Sequence, residues 1–210
     1  MRSNKNLNTG RFSIWLRSTQ AALLSDSPAD VPCGDCIACC CSSFFIHIKR
    51  DEKKTLQCIP VELVFPAPGL AKGDMVLGYD EQGKCPMLRE AKCSIYAKRP
   101  GTCQRYDCRI YPATGIELVG DSSHLIAEQA RRWRFEYPEV IDHELEHACH
   151  AAAQFLQEKG HLFPQGALPS NPTQLAVLAI NVCDLFLEID PSSSGFSSEE
   201  IARQITLKLT

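Results

Sequence analysis

"CGDCIACCC", residues 33–41, puts five cysteines into nine positions: Cys33, Cys36, Cys39, Cys40 and Cys41. Three chemistries concentrate sulfur in this way: a disulfide framework, a redox thiol pair, or a metal site. Choosing among them decides whether this region is stapled, catalytic or wrapped around an ion.

The compartment comes first. The N-terminal stretch "MRSNKNLNTGRFSIWLRSTQ" (1–20) has basic residues but no sustained apolar run ahead of a small-residue cleavage site, so a cytoplasmic protein is expected. Twelve cysteines in a reducing compartment argue against a disulfide framework. With 210 residues, 44% hydrophobic and 22% charged, the chain can bury a core without needing disulfides or metal merely to fold. Its 22 basic and 25 acidic residues give a net charge of −3, so no global field draws it to nucleic acid or a membrane. The densest apolar run, residues 175–187, is short for a membrane span and carries Asn181 and Asp184. A redox thiol pair normally stands at a helix start in a thioredoxin-like fold, and this cluster is too crowded for that arrangement.

Spacing then favours metal. The first group reads C-x2-C-x2-C-C (Cys33, Cys36, Cys39, Cys40), and a second follows at Cys85, Cys93, Cys103 and Cys108. A C-x2-C step lets two thiolates converge on one ion while the intervening backbone donates N–H groups to sulfur. Eight thiolates suit two zinc ions, or an iron–sulfur cluster with a second metal. Neighbouring side chains diverge, so Cys39 and Cys40 fit better on two metal atoms than on one. Zinc and iron–sulfur both take thiolates. The Cys33–Cys36–Cys39 spacing and the remote Cys85–Pro86 lean toward the iron–sulfur pattern of bacterial ferredoxins. Cys41, Cys58, Cys149 and Cys183 fall outside the eight, the last two in apolar helical settings that suit buried inert thiols.

At this point the chain resembles the zinc- or iron-chelating cysteine-cluster family, also called the YkgJ family. The matching elements are Cys33, Cys36, Cys39 and Cys40, then Gly83, Cys85, Pro86, Leu88, Cys93, Ile95, Tyr96, Arg99, Pro100, Cys103, Tyr106 and Cys108. Gln104 departs from the arginine usual there. The resemblance covers about residues 31–110 and implies a bound metal held by the eight cysteines. A similar module in flagellin lysine methylases points to iron–sulfur. Neither the resemblance nor the residues name a substrate, a redox partner or a reaction.

Around the cysteines the expected architecture is α+β: a loop-rich metal-binding region with short strands, packed with mostly C-terminal helices. Residues 1–30 read as an N-terminal helix and linker, 31–113 as the cysteine region, and 114–210 as a helical extension. "SFFIHI" (43–48) reads as a strand, 65–74 as a Pro/Gly loop, and 75–88 as a hairpin turning at Asp80–Gly83. Residues 122–137 and 138–160 show helical spacing, Asn171–Pro172 caps a third, central helix, and Ser197 with Glu200 signals a last one.

Two further motifs invite function. "HELEH" (143–147) matches the zinc-protease helix signature. However, His143, His147 and His150 lie nearly opposite the expected apolar stripe of Ile141, Leu145, Ala148 and Ala152, which reads as a polar helix face rather than a zinc hydrolase. "RRWRF" (131–135) mixes arginine and aromatics as nucleic-acid surfaces do, but Ile126, Ala130, Trp133 and Tyr137 on one helical stripe point to Trp133 packed inward. The charged run Asp51–Lys54 reads as a solvated helix face.

Overall fold

A computed structural model describes residues 6–25, 27–29, 31, 46–67, 69–81, 84–90, 92–118, 124–187 and 197–209. In chain order come β1 (Leu7–Arg11), α1 (Phe12–Ser25), β2 (Ile46–Ile48), α2 (Lys53–Leu56), β3 (Val64–Pro66) and β4 (Met75–Leu77). Then follow β5 (Leu88–Arg89), β6 (Lys92–Cys93), α3 (Gly101–Arg105), α4 (Ile110–Thr114), α5 (His124–Ala130) and β7 (Trp133–Glu136). Then come α6 (Val140–Glu158), α7 (Pro172–Val182) and α8 (Ser198–Leu209). The architecture is α+β, with short strands and most of the helix C-terminal. Two compact units form: one from Met1–Ala21, Cys108–Leu118 and Ala130–Thr210, the other from Ala22–Asp107 and Val119–Gln129.

The second unit carries a three-stranded antiparallel sheet in the order β2-β4-β3. In β2, Ile46 and Ile48 are buried and His47 between them is half-buried, the two-residue alternation of a strand with one face inward. Leu77 sits opposite both Ile46 and Val64. Under the sheet, Ile46, Ile48, Ile59, Leu77, Cys85 and Met87 form one buried apolar cluster. The hairpin expected over 75–88 is not formed. Asp80 and Lys84 are nevertheless bonded to each other, Asp80 N–H donating to the Lys84 carbonyl at 2.8 Å and Lys84 N–H to Asp80 Oδ1 at 2.9 Å. Yet β4 is the central strand, so both its edges are already paired, and Pro86 has no N–H to give a ladder. The partner of β4 on that side is β3, formed from the start of the expected Pro/Gly loop, and Leu88 pairs instead with Cys93.

The first unit opens on β1, which the sequence reading did not anticipate and which pairs in parallel with β7. A bulge between Asn8 and Arg11 holds Gly10 at φ +75, a conformation that a Cβ disfavours, and the Asn8 side chain accepts from Gly10 N–H at 2.7 Å. The helix expected through residue 137 stops at Ala130, and Trp133–Glu136 is strand. Aromatic residues fit a pleated surface well, and the backbone of β1 supplies the partner that local spacing cannot reveal. Phe12, Trp15 and Phe135 pack together there, with ring centroids 4.8–5.6 Å apart.

The α6 helix buries Asp142, Leu145, Ala148, Cys149, Ala152, Ala153 and Leu156, a helical stripe facing α7, α4 and the turn Cys183–Phe186. Ile141, expected on that stripe, is 36% exposed, and Asp142 takes the inward position beside it. The Asp142 carboxylate accepts from Arg11 Nε and Ser13 N–H, both at 3.0 Å, and from Glu139 N–H at 3.1 Å. Together with Glu139 it forms a capping box that ties α6 to the start of α1. Asn171 caps α7 as expected, accepting from Thr173 and Gln174 N–H, with Pro172 in the first turn. In α8, Glu200 N–H donates to Ser197 Oγ, and Ile201 and Ile205 are buried.

Candidate metal centre

The first cysteine group, Cys33, Cys36, Cys39 and Cys40 together with Cys41, lies outside the described residues, as does Gly83. The second group is described. Cys85 belongs to the buried apolar cluster of the second unit, and Cys103 packs against that cluster from its edge. Cys93 is half-buried at the end of β6, across from Leu88, which packs on the same cluster. Cys85 and Cys103 thus share one apolar cluster, and Cys93 stands next to it through its pairing with Leu88.

Local bonds hold these positions. Leu88 N–H donates to the Cys85 carbonyl, and Ser94 N–H and Oγ both donate to the Met87 carbonyl, each at 2.9 Å. Cys103 rides on α3, whose start is pinned by three side chains. Gly101 N–H donates to Glu52 Oε2 at 2.7 Å, Thr102 Oγ1 to the His47 carbonyl at 2.8 Å, and Thr55 Oγ1 to the Lys98 carbonyl at 2.9 Å. Glu52 also accepts from Lys49 N–H at 2.9 Å. It is therefore a half-buried tether rather than part of a solvated helix face. Gln104 Nε2 donates to the Arg99 carbonyl at 2.7 Å, while the Arg99 guanidinium lies 4.1 Å from the Tyr96 ring centre. Asp74, beside β4, accepts from Arg50 N–H at 3.1 Å and pairs with His47 Nε2 at 2.9 Å. The Arg50 amide and then the His47 ring hold its carboxyl below the usual carboxylate range.

Cys108 begins the middle segment of the first unit and is buried. Its sulfur accepts a hydrogen bond from the indole Nε1–H of Trp133 at 3.1 Å. Trp133 is only 2% exposed, fixed by its place on β7 opposite Leu7. The neighbouring Arg109 guanidinium lies 6.0 Å from the Trp133 ring centre and 5.9 Å from that of Trp15. The sequence carried the inward packing of Trp133, but nothing in it signalled a bond to a cysteine 25 positions earlier.

Among the described residues, no group of three or more His, Cys, Asp and Glu side chains is placed to hold a metal ion. The second cysteine group therefore does not close a site on its own among those residues. Nor does the His-Glu-x-x-His motif gather a third ligand among the described residues. His143, His147 and His150 are exposed; His143 stacks on Tyr137 at 4.8 Å, and His150 Nε2 lies 3.3 Å from the Pro112 carbonyl. Burial and the Glu146 carboxylate, which accepts the phenol's hydrogen bond, push the Tyr137 hydroxyl above its ordinary range. Cys149 and Cys183 are fully buried. The Cys183 thiol beside it, followed by burial, pushes Cys149 far up, so it stays protonated. Cys183 Sγ donates to the Ile180 carbonyl at 3.2 Å. Among the described residues no helix is long and apolar enough to cross a membrane. Compared with family models, curated proteins and solved structures, the chain matches none.

Proposed function

We propose that this chain is a metal-binding protein whose ligands are Cys33, Cys36, Cys39, Cys40, Cys85, Cys93, Cys103 and Cys108. The observation that carries the reading is the two-group cysteine spacing, C-x2-C-x2-C-C followed by Cys85, Cys93, Cys103 and Cys108. The second group supports it through its surroundings: Cys85 and Cys103 share one apolar cluster, and Cys108 receives an N–H bond on sulfur. Thiolate ligands are commonly stabilised by such donors and by a dry shell around the site. The likeness to the YkgJ family supports the same assignment.

Between the two metals, the ferredoxin-like first group and Cys85–Pro86 favour an iron–sulfur cluster over structural zinc. When bound, such a cluster supplies one-electron redox chemistry. The chain would then serve as an electron carrier or as an accessory to an enzyme, with a protein as its redox partner. A structural zinc module for protein–protein interaction is the competing assignment.

Single substitutions separate ligands from bystanders. Cys36→Ser and Cys103→Ser should each lose bound metal, measured per chain by elemental analysis. Cys183→Ser should keep the wild-type metal content, and loss of metal in that variant would overturn the assignment.

A further inference from the structure

We infer that the second unit carries a basic surface that docks an acidic patch of another protein. This concerns surface charge alone and stands whether or not the cysteines hold metal. In the sequence, "KRDEKK" (49–54) is partly self-neutralised, with Lys49, Arg50, Lys53 and Lys54 against Asp51 and Glu52. Folding takes half of that opposing charge out of play. The half-buried Glu52 carboxylate accepts the Lys49 and Gly101 N–H groups at 2.9 and 2.7 Å, which leaves Asp51 as the exposed acid of the stretch.

Hydrogen bonds bring further cations to the same region. Thr55 Oγ1 donates to the Lys98 carbonyl at 2.9 Å, which sets Lys98 and Arg99 beside α2. The bond from Gly101 to Glu52 does the same for α3, which ends in Arg105. Arg50 Nη1 donates to the Lys72 carbonyl at 3.3 Å. The three stretches 49–54, 72–74 and 98–105 thus hold eight basic residues and three acidic ones. Of the acids, Asp74 is buried, paired with His47 and bonded to the Arg50 amide. Lys53, Lys54, Lys72 and Lys98 are exposed, and among the described residues none of them makes an ion pair.

Charge complementarity decides the occupant. A cluster whose acids are engaged internally keeps its field for a partner, and opposite charges steer encounter and fix orientation. The whole chain is net −3, so the residues outside this surface are acidic in balance. A nucleic acid carries charge along its full length, runs past the cluster and meets that acidic remainder. Its bases also need open aromatic faces, whereas the exposed Tyr96 already has Arg99 over its ring at 4.1 Å. A bounded acidic patch on a protein meets neither obstacle.

The test measures binding of labelled poly-L-glutamate at low ionic strength, with oligothymidylate and phosphatidylserine vesicles as rival probes. It compares the unaltered protein, a Lys53→Glu, Lys54→Glu, Lys98→Glu triple variant, and a control triple of equal net charge, Lys92→Glu, Arg131→Glu, Lys208→Glu. The first triple should bind poly-L-glutamate at least about 10-fold more weakly than the unaltered protein, and the control nearly as well as it. Physiological salt should weaken binding to the unaltered protein. No binding by the unaltered protein, or equal losses in both triples, would overturn the inference. Tighter binding of oligothymidylate or vesicles than of poly-L-glutamate would overturn the choice of a protein partner. Should the first triple fail to fold, lysine acetylation of the unaltered protein still answers. Bound poly-L-glutamate should protect Lys53, Lys54 and Lys98 but not Lys208, and absence of that pattern would overturn the inference.

Discussion

Asp142 is fully buried on the inner face of α6 and carries a charge there. Burial pushes its carboxyl up, but the hydroxyl and amide of Ser13, the Arg11 guanidinium and the Glu139 amide outweigh burial and hold it at about 2. An unfolded aspartate titrates near about 3.9. The depressed value therefore stabilises the folded protein above about pH 4, and that stabilisation disappears as pH falls toward 2. Asp142→Ala should destabilise the first unit by about 3 kcal/mol, because it removes the acceptor of the Ser13 and Glu139 amides and leaves Arg11 with Glu139 alone. It should also flatten the loss of stability between about pH 4 and 2. Tryptophan fluorescence during urea unfolding reads this directly, since Trp15 and Trp133 both belong to that unit. A wild-type midpoint and wild-type acid profile in the variant would refute the role given to Asp142. At this scale the sequence was informative where a residue's type and helical setting decide its place, as for the buried thiols Cys149 and Cys183. It was silent where a bond joins distant residues. Glu52 looked like one more charge on a polar helix, and no local pattern marks a glutamate that accepts from Lys49 and Gly101.

Elements with strong end signals were legible and those defined by a remote partner were not. Asn171–Pro172 identifies the start of α7 because both residues act locally, one on the two following amides and one through its fixed φ. Asn171→Ala should therefore lower stability by about 1 kcal/mol without altering metal content, measured by chemical denaturation alongside elemental analysis. A metal loss there would show that the helical unit and the cysteines are coupled more tightly than this account allows. The segment 131–136 shows the opposite case. Its apolar spacing suits a helix, yet β1 offers an open edge and the segment becomes β7. Residues 75–88 failed as a hairpin for a related reason. The Asp80–Lys84 bonding is local, while the pairing depends on β3, a strand within a stretch that composition marks as loop.

At the scale of the whole molecule, the two units differ in what supports them. The first unit packs α4, α6 and α7 against one another and closes β1 on β7. Among its described residues the second carries strands of two or three residues and a cluster of six buried side chains, one of them Cys85. The α+β class was readable because helical and alternating patterns occur in separate stretches. The grouping into units was not, because segments from both ends of the chain join the first unit. The central claim is that eight thiolates bind a metal, with iron–sulfur favoured. Its most direct test is to purify the protein without oxygen, record its visible spectrum, and count iron, zinc and sulfide per chain. The account predicts a brown protein with a broad band near about 400 nm and stoichiometric iron and sulfide. Colourless protein with tightly held zinc would keep the metal and overturn the iron–sulfur assignment. Protein holding neither metal would contradict the account itself.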